Sequence, residues 1–113
     1  MDLCKQVVGP TWIANLMESL QNNSKIEHFL LGNNITSNEG GKSLKKFLLN
    51  DHKTHIKTLY LSGQDFNSQA ISDVVDGLEN DTIVEALWVK RNPIYAEGMK
   101  HIRRLLEKKH YVC

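Results

Sequence analysis

The sequence predicts an α/β solenoid, a short horseshoe with parallel strands on its concave face and helices on its convex face. Three observations carry that expectation. First, the segments Ile26-Glu27-His28-Phe29-Leu30-Leu31-Gly32-Asn33-Asn34, Ile56-Lys57-Thr58-Leu59-Tyr60-Leu61-Ser62-Gly63-Gln64 and Val84-Glu85-Ala86-Leu87-Trp88-Val89-Lys90-Arg91-Asn92 superpose without a gap, 30 and then 28 residues apart. Second, each has apolar residues first, fourth and sixth and an amide side chain ninth, a repeat signature rather than a coincidence of composition. Third, each is followed by apolar pairs four residues apart, Leu44/Leu48, Val74/Leu78 and Ile102/Leu106, the spacing of one helical face. Period-two apolar residues giving way to period-four ones make each unit a strand followed by a helix.

The elements follow in order. Residues 1–25 are expected to form a degenerate first unit: Leu16 and Leu20 stand before Ile26 as Val74 and Leu78 stand before Val84, while Val8-Gly9-Pro10 takes the place of the amide turn. Three full units then occupy residues 26–55, 56–83 and 84–111 of a single domain. In each, an apolar residue follows the amide (Ile35, Phe66, Ile94), and a small one (Gly40, Ala70, Gly98) opens the helix so that it can approach the sheet. Thr36-Ser37-Asn38-Glu39 fits a capping box, and Asn67 or Ser68 can cap the next helix. Asn34, Gln64 and Asn92 are expected to be structural, satisfying turn backbone groups that no strand partner reaches. Val112 would open a further strand, so the chain reads as a piece of a longer array or as one that self-associates through its terminal units.

On these residues the chain resembles the ribonuclease-inhibitor class of leucine-rich repeats, over about Trp12 to Val112. The resemblance implies a leucine-rich repeat solenoid that binds other macromolecules. Relatives of that class include the activator of the Ran GTPase, ribonuclease inhibitors, actin-end-capping tropomodulins and the arrays of innate immune receptors. It departs from the pattern at Gln64, where Asn or Cys is usual, and at Ile35, one place earlier than Phe66 and Ile94.

Composition sets bounds. The 113 residues carry a net charge of +1, with 41% hydrophobic and 24% charged side chains, as in an ordinary soluble domain. The balanced charge argues against nucleic acid or an anionic membrane as partner. No apolar run is long enough to cross a bilayer and the first residues do not read as a signal peptide, so a cytoplasmic address is expected, with the nucleus as alternative. Cys4 and Cys113 stand at opposite ends and read as thiols rather than a disulfide.

The side chains between the buried strand residues point to the opposite face of the sheet and define the expected binding surface. Its central column is Leu30, Tyr60 and Trp88, flanked by Glu27/Lys57/Glu85 and His28/Thr58/Ala86, with Lys90 and Arg91 at one edge. Tyr, Trp and Arg are the residues enriched in binding hot spots. Leu30, Tyr60, Trp88, His28, Lys57, Glu85, Lys90 and Arg91 are therefore the candidate partner-binding residues.

Other motifs carry less. Gly40-Gly41-Lys42-Ser43 resembles the end of a phosphate-binding loop, but Thr36 stands where its first Gly is required and Glu39 would repel phosphate. His52 and His55 have a metal-ligand spacing with Asp51 as a weak third donor, and read as solvated turn residues. No nucleophile, base and carboxylate share a repeat position, so no catalytic residue, metal or cofactor is expected. Asn22-Asn23-Ser24, Asn34-Ile35-Thr36 and Asn80-Asp81-Thr82 match the glycosylation pattern, but Asn34 is needed inside its turn, in keeping with an intracellular protein. The function expected is a non-enzymatic scaffold that grips a protein on its concave face. The alternatives are a regulatory fragment of a larger repeat protein of GTPase-activating, inhibitor or immune-receptor type, or binding of nucleic acid or an acidic partner by the basic last helix. That helix carries Lys100, Arg103, Arg104, Lys108 and Lys109 against Glu97 and Glu107, whereas the middle of the chain holds Asp73, Asp76, Glu79 and Asp81.

Overall fold

A computed structural model describes residues 2, 4, 8–21, 23, 25–49 and 55–108. Along the chain run α1 (Gly9–Leu20), β1 (His28–Leu30), α2 (Ser37–Leu49), β2 (Thr58–Tyr60), α3 (Ser68–Leu78), β3 (Ala86–Trp88) and α4 (Tyr95–Lys108). The strands form one parallel sheet in the order β1-β2-β3. His28, Thr58 and Ala86 stand side by side, as do Phe29, Leu59 and Leu87, and Leu30, Tyr60 and Trp88. This is the register in which the three sequence segments superpose. Asp2 adds an isolated parallel bridge to Leu30.

Each helix packs on the next, α1 on α2, α2 on α3 and α3 on α4. The core lies between this helical layer and the sheet. Phe29, Leu59 and Leu87 reach it from the strands, Ile13, Met17 and Leu20 from α1, and Leu44, Val74 and Ile102 from the later helices. Helix α3 has neighbours on both flanks, and seven of its eleven residues are buried. Its first turn is capped by Asn67, whose side-chain oxygen accepts from the Ala70 N–H at 3.0 Å, satisfying a donor the helix cannot satisfy itself.

The short horseshoe expected from the repeat is corrected here. The extents are 34 × 28 × 20 Å and the radius of gyration is 12.5 Å, against about 13 Å for a compact globule of this length. With strands about 4.8 Å apart, three of them span only about 10 Å, less than the depth of the helical layer behind them. Curvature needs more stacking than that, so the four helices and three-stranded sheet of the described residues close into a compact body rather than a leucine-rich repeat solenoid.

Smaller expectations also change. Ile35 is not in the core; it is 60% exposed, and Thr36, fully buried, takes the place of Phe66 in the first unit. Among the described residues the Thr36–Glu39 capping box is replaced by other contacts: the Thr36 hydroxyl donates to Gln64 Oε1 at 2.9 Å, and Glu39 pairs with Lys42 at 3.7 Å. In α4 Leu105, rather than the expected Leu106, joins Ile102 in the core, and Leu106 is 41% exposed, because nothing described packs on the outer flank of that helix.

Candidate functional site

The loops that follow the strands are held by amide side chains. Asn34 Nδ2 donates to the Leu31 and Gly32 carbonyls at 2.7 and 3.3 Å, and its Oδ1 accepts from Val8 N at 2.9 Å. Gln64 Nε2 donates to the Leu31 and Ser62 carbonyls, reaching back one unit. Asn92 does the same: Nδ2 bonds the Leu61 and Val89 carbonyls at 3.1 and 2.8 Å, and Oδ1 accepts from Gln64 N and Phe66 N at 2.9 and 3.1 Å. Polar groups that would otherwise be buried without partners are thus tied into a ladder crossing the units. The ladder fixes where each strand ends and which way the next side chains point.

The face of the sheet away from the helices carries His28 and Leu30, Thr58 and Tyr60, and Ala86 and Trp88. Leu30, Tyr60 and Trp88 are half-buried, neither core nor fully solvated. The Tyr60 and Trp88 rings lie 6.3 Å apart at 41°, a tilted contact within the favourable range for aromatic pairs. His28 is exposed, with Nδ1 2.9 Å from Thr58 Oγ1, which ties the first two strands on this face. Lys57 and Glu85 are exposed at the strand entrances, in a row of alternating sign with Glu27 joined by backbone bonds. At the strand exits an open groove of about 370 Å³ is lined by Tyr60, Ser62, Trp88, Lys90 and Arg91. Four of the eight candidate binding residues therefore share one concavity, while Leu30 and His28 lie along β1, and Lys57 and Glu85 at the far end.

Other motifs find structural explanations. Gly40 and Gly41 are buried within α2, and a Cβ on Gly41 would stand 2.8 Å from the Ala70 Cα and carbonyl oxygen. Glycine is required there because α2 and α3 touch backbone to backbone, so this run is a packing seam rather than a phosphate loop. The basic side of α4 is turned against acids on α3 and at its C-terminal end: Arg104 hydrogen-bonds Asp76 at 3.0 Å and is ion-paired with Glu79, without a hydrogen bond to it, and Lys108 reaches Glu79 at 3.6 Å. Lys100 pairs with Glu97 at 3.4 Å. Much of the charge that could attract a polyanion is locally neutralised. His55 is exposed, whereas Asp51, His52, Lys109 and Cys113 lie outside the described residues. Among the described residues no group of three His, Cys, Asp or Glu side chains could hold a metal ion, and no helix is long and apolar enough to cross a membrane.

Sequence reasoning could not have found the backbone of Arg91. It has φ +58°, at the position held by Asn33 (φ +60°) and Gly63 (φ +70°) in the earlier units. Asn and Gly enter the left-handed region easily; arginine does so at a cost.

Together these features define a class of molecule, a compact strand–helix body whose rigid parallel sheet displays an aromatic face with a cationic end. Among solved structures, it is similar to one described as Leiomodin-1 Actin-Binding Site 2, with a TM-score of 0.80 at 15% sequence identity. The alignment covers 99% of this chain and 65% of that one, so the chain spans about two thirds of its neighbour's length. At that identity the likeness is one of fold. No protein-family model matches the chain. No curated protein matches it either. The resemblance to ribonuclease-inhibitor-like leucine-rich repeats is accordingly corrected: the likeness found is to an actin-binding domain, and the local strand–helix pattern did not specify the family or the assembled fold.

Proposed function

We propose that this chain is a non-enzymatic protein-binding module that engages its partner on the exposed sheet face around Leu30, Tyr60 and Trp88. The observation that carries this reading is the half-buried aromatic pair at the mouth of a groove, on strands whose register is held by the amide ladder. Large, rigid aromatic side chains bind with little loss of conformational freedom, and a preorganised sheet limits the ordering cost of association. The structural neighbour is described as an actin-binding site, which makes actin the first partner to test.

The test is titration calorimetry of the chain against monomeric actin, beside the double variant Tyr60→Ala/Trp88→Ala. Both side chains are partly solvated, so the variant should keep the wild-type circular dichroism. Loss of two hot-spot residues should weaken binding by about 30-fold or more. A folded variant that binds as tightly as wild type would refute the assigned face. No heat of binding and no pelleting with filaments would refute actin as the partner.

A further inference from the structure

We infer that the groove at the strand exits takes an extended acidic peptide segment, with an apolar side chain across Tyr60 and Trp88 and carboxylates against Lys90 and Arg91. This deepens the proposed function and rests on the sheet face being the binding face. Charge is the first argument. Lys90 and Arg91 are adjacent, exposed and without an ion pair among the described residues, and of the cations unpaired there, which include Lys25, Lys46, Lys57 and Arg103, they are the two that line the groove. A guanidinium beside an ammonium on the rim of an aromatic groove is complementary to a carboxylate-bearing chain.

The backbone supplies the second argument. Arginine at φ +58° occupies a position that Asn33 and Gly63 fill without comparable strain, so Arg91 is held in a costly conformation at the groove rim. Thirdly, β3 ends the strand order, so its outer main-chain groups have no strand partner among the described residues. An extended segment can pair along such an edge while its alternate side chains reach the groove. The opposite ends of the strands carry Glu27 and Glu85, which a long polyanion running along the face would meet. A short acidic peptide meets only the cationic end.

The test is selection of peptides from a random dodecapeptide display library on the intact chain, on Lys90→Glu/Arg91→Glu, and on Tyr60→Ala/Trp88→Ala. Wild type should enrich segments rich in Asp and Glu around a Leu, Ile or Phe. The best of them should bind about tenfold more weakly to the charge-reversed variant, which should itself enrich Lys and Arg. Peptides that need Tyr60 and Trp88 but show no acidic bias, or whose bias survives charge reversal, overturn the inference and leave the proposed face standing. Peptides indifferent to the aromatic variant, or none at all, overturn both. A twelve-nucleotide oligothymidylate that binds more tightly than any peptide, and is lost on charge reversal, would replace the acidic peptide with nucleic acid.

Discussion

Gln64 is the most informative residue to remove. Its side chain is fully buried, donates to the Leu31 and Ser62 carbonyls and accepts from the Thr36 hydroxyl at 2.9 Å. Truncation in Gln64→Ala leaves unequal damage. The Leu31 carbonyl keeps Asn34 Nδ2 at 2.7 Å and the Ser62 carbonyl keeps Asn33 N at 2.9 Å, whereas the Thr36 hydroxyl loses its acceptor. Two lost bonds at about 1 kcal/mol each, a stranded buried hydroxyl at about 1 and a partly collapsed void at about 1 sum to about 4 kcal/mol. A domain of this size has about 5–15 kcal/mol in all, so the variant should be close to unfolding. Gln64→Met refills the volume without the hydrogen bonds and should recover about 1 kcal/mol of the loss. Urea titration followed by circular dichroism and tryptophan fluorescence measures both. Thr36→Val combined with Gln64→Met should cost less than the sum of the single changes, since both remove one shared bond. A loss below about 1 kcal/mol for Gln64→Ala, or strict additivity in the cycle, would refute a role for the buried amide in holding the units together.

Further expectations follow from local geometry. Gly41→Ala places a methyl group 2.8 Å from the Ala70 backbone, so overpacking of the α2–α3 seam should outweigh the gain in helix propensity and cost about 1–2 kcal/mol by urea unfolding. Ile35 is β-branched, 60% exposed and at φ +49°, so Ile35→Asn should stabilise the fold by about 1 kcal/mol, read as a melting temperature higher by about 4–8 °C. The Asp2 carboxylate is held below the usual Asp range, chiefly by the Cys4 backbone N–H at 3.0 Å. Its small contribution should therefore be present above the unfolded-state pKa and fade as pH falls through the lowered value, as followed by the carboxyl carbon shift in an NMR titration.

Much of the local structure was legible because it follows from backbone periodicity. The strand register is the one in which the three segments align, since parallel pairing of equivalent residues is what buries Phe29, Leu59 and Leu87 together. The cap at Asn67 was readable for a similarly local reason, whereas the seam glycine was not: the repeat pattern pointed to Gly40 beside the sheet, and it is Gly41 that meets the Ala70 backbone. Ile35 misled because hydrophobicity predicts a core position, whereas the one-residue shift in its loop gives that position to Thr36, whose hydroxyl finds Gln64. The horseshoe failed for a global reason: spacing describes a unit and its neighbour, while the shape of the whole depends on how many units stack and what closes their ends. The groove was partly visible as a column of Leu30, Tyr60 and Trp88. The conformation of Arg91 was not, because a basic side chain in the sequence carries no sign of the positive φ that its loop imposes.

Binding of a protein partner on the exposed sheet face can be read residue by residue from amide chemical-shift changes during titration with monomeric actin. The changes should be concentrated at residues 28–30, 58–60 and 86–91 and absent in Tyr60→Ala/Trp88→Ala. Changes confined to the helical side, for instance around the cleft lined by Met17 and Phe47, or a spectrum that does not move, would contradict it.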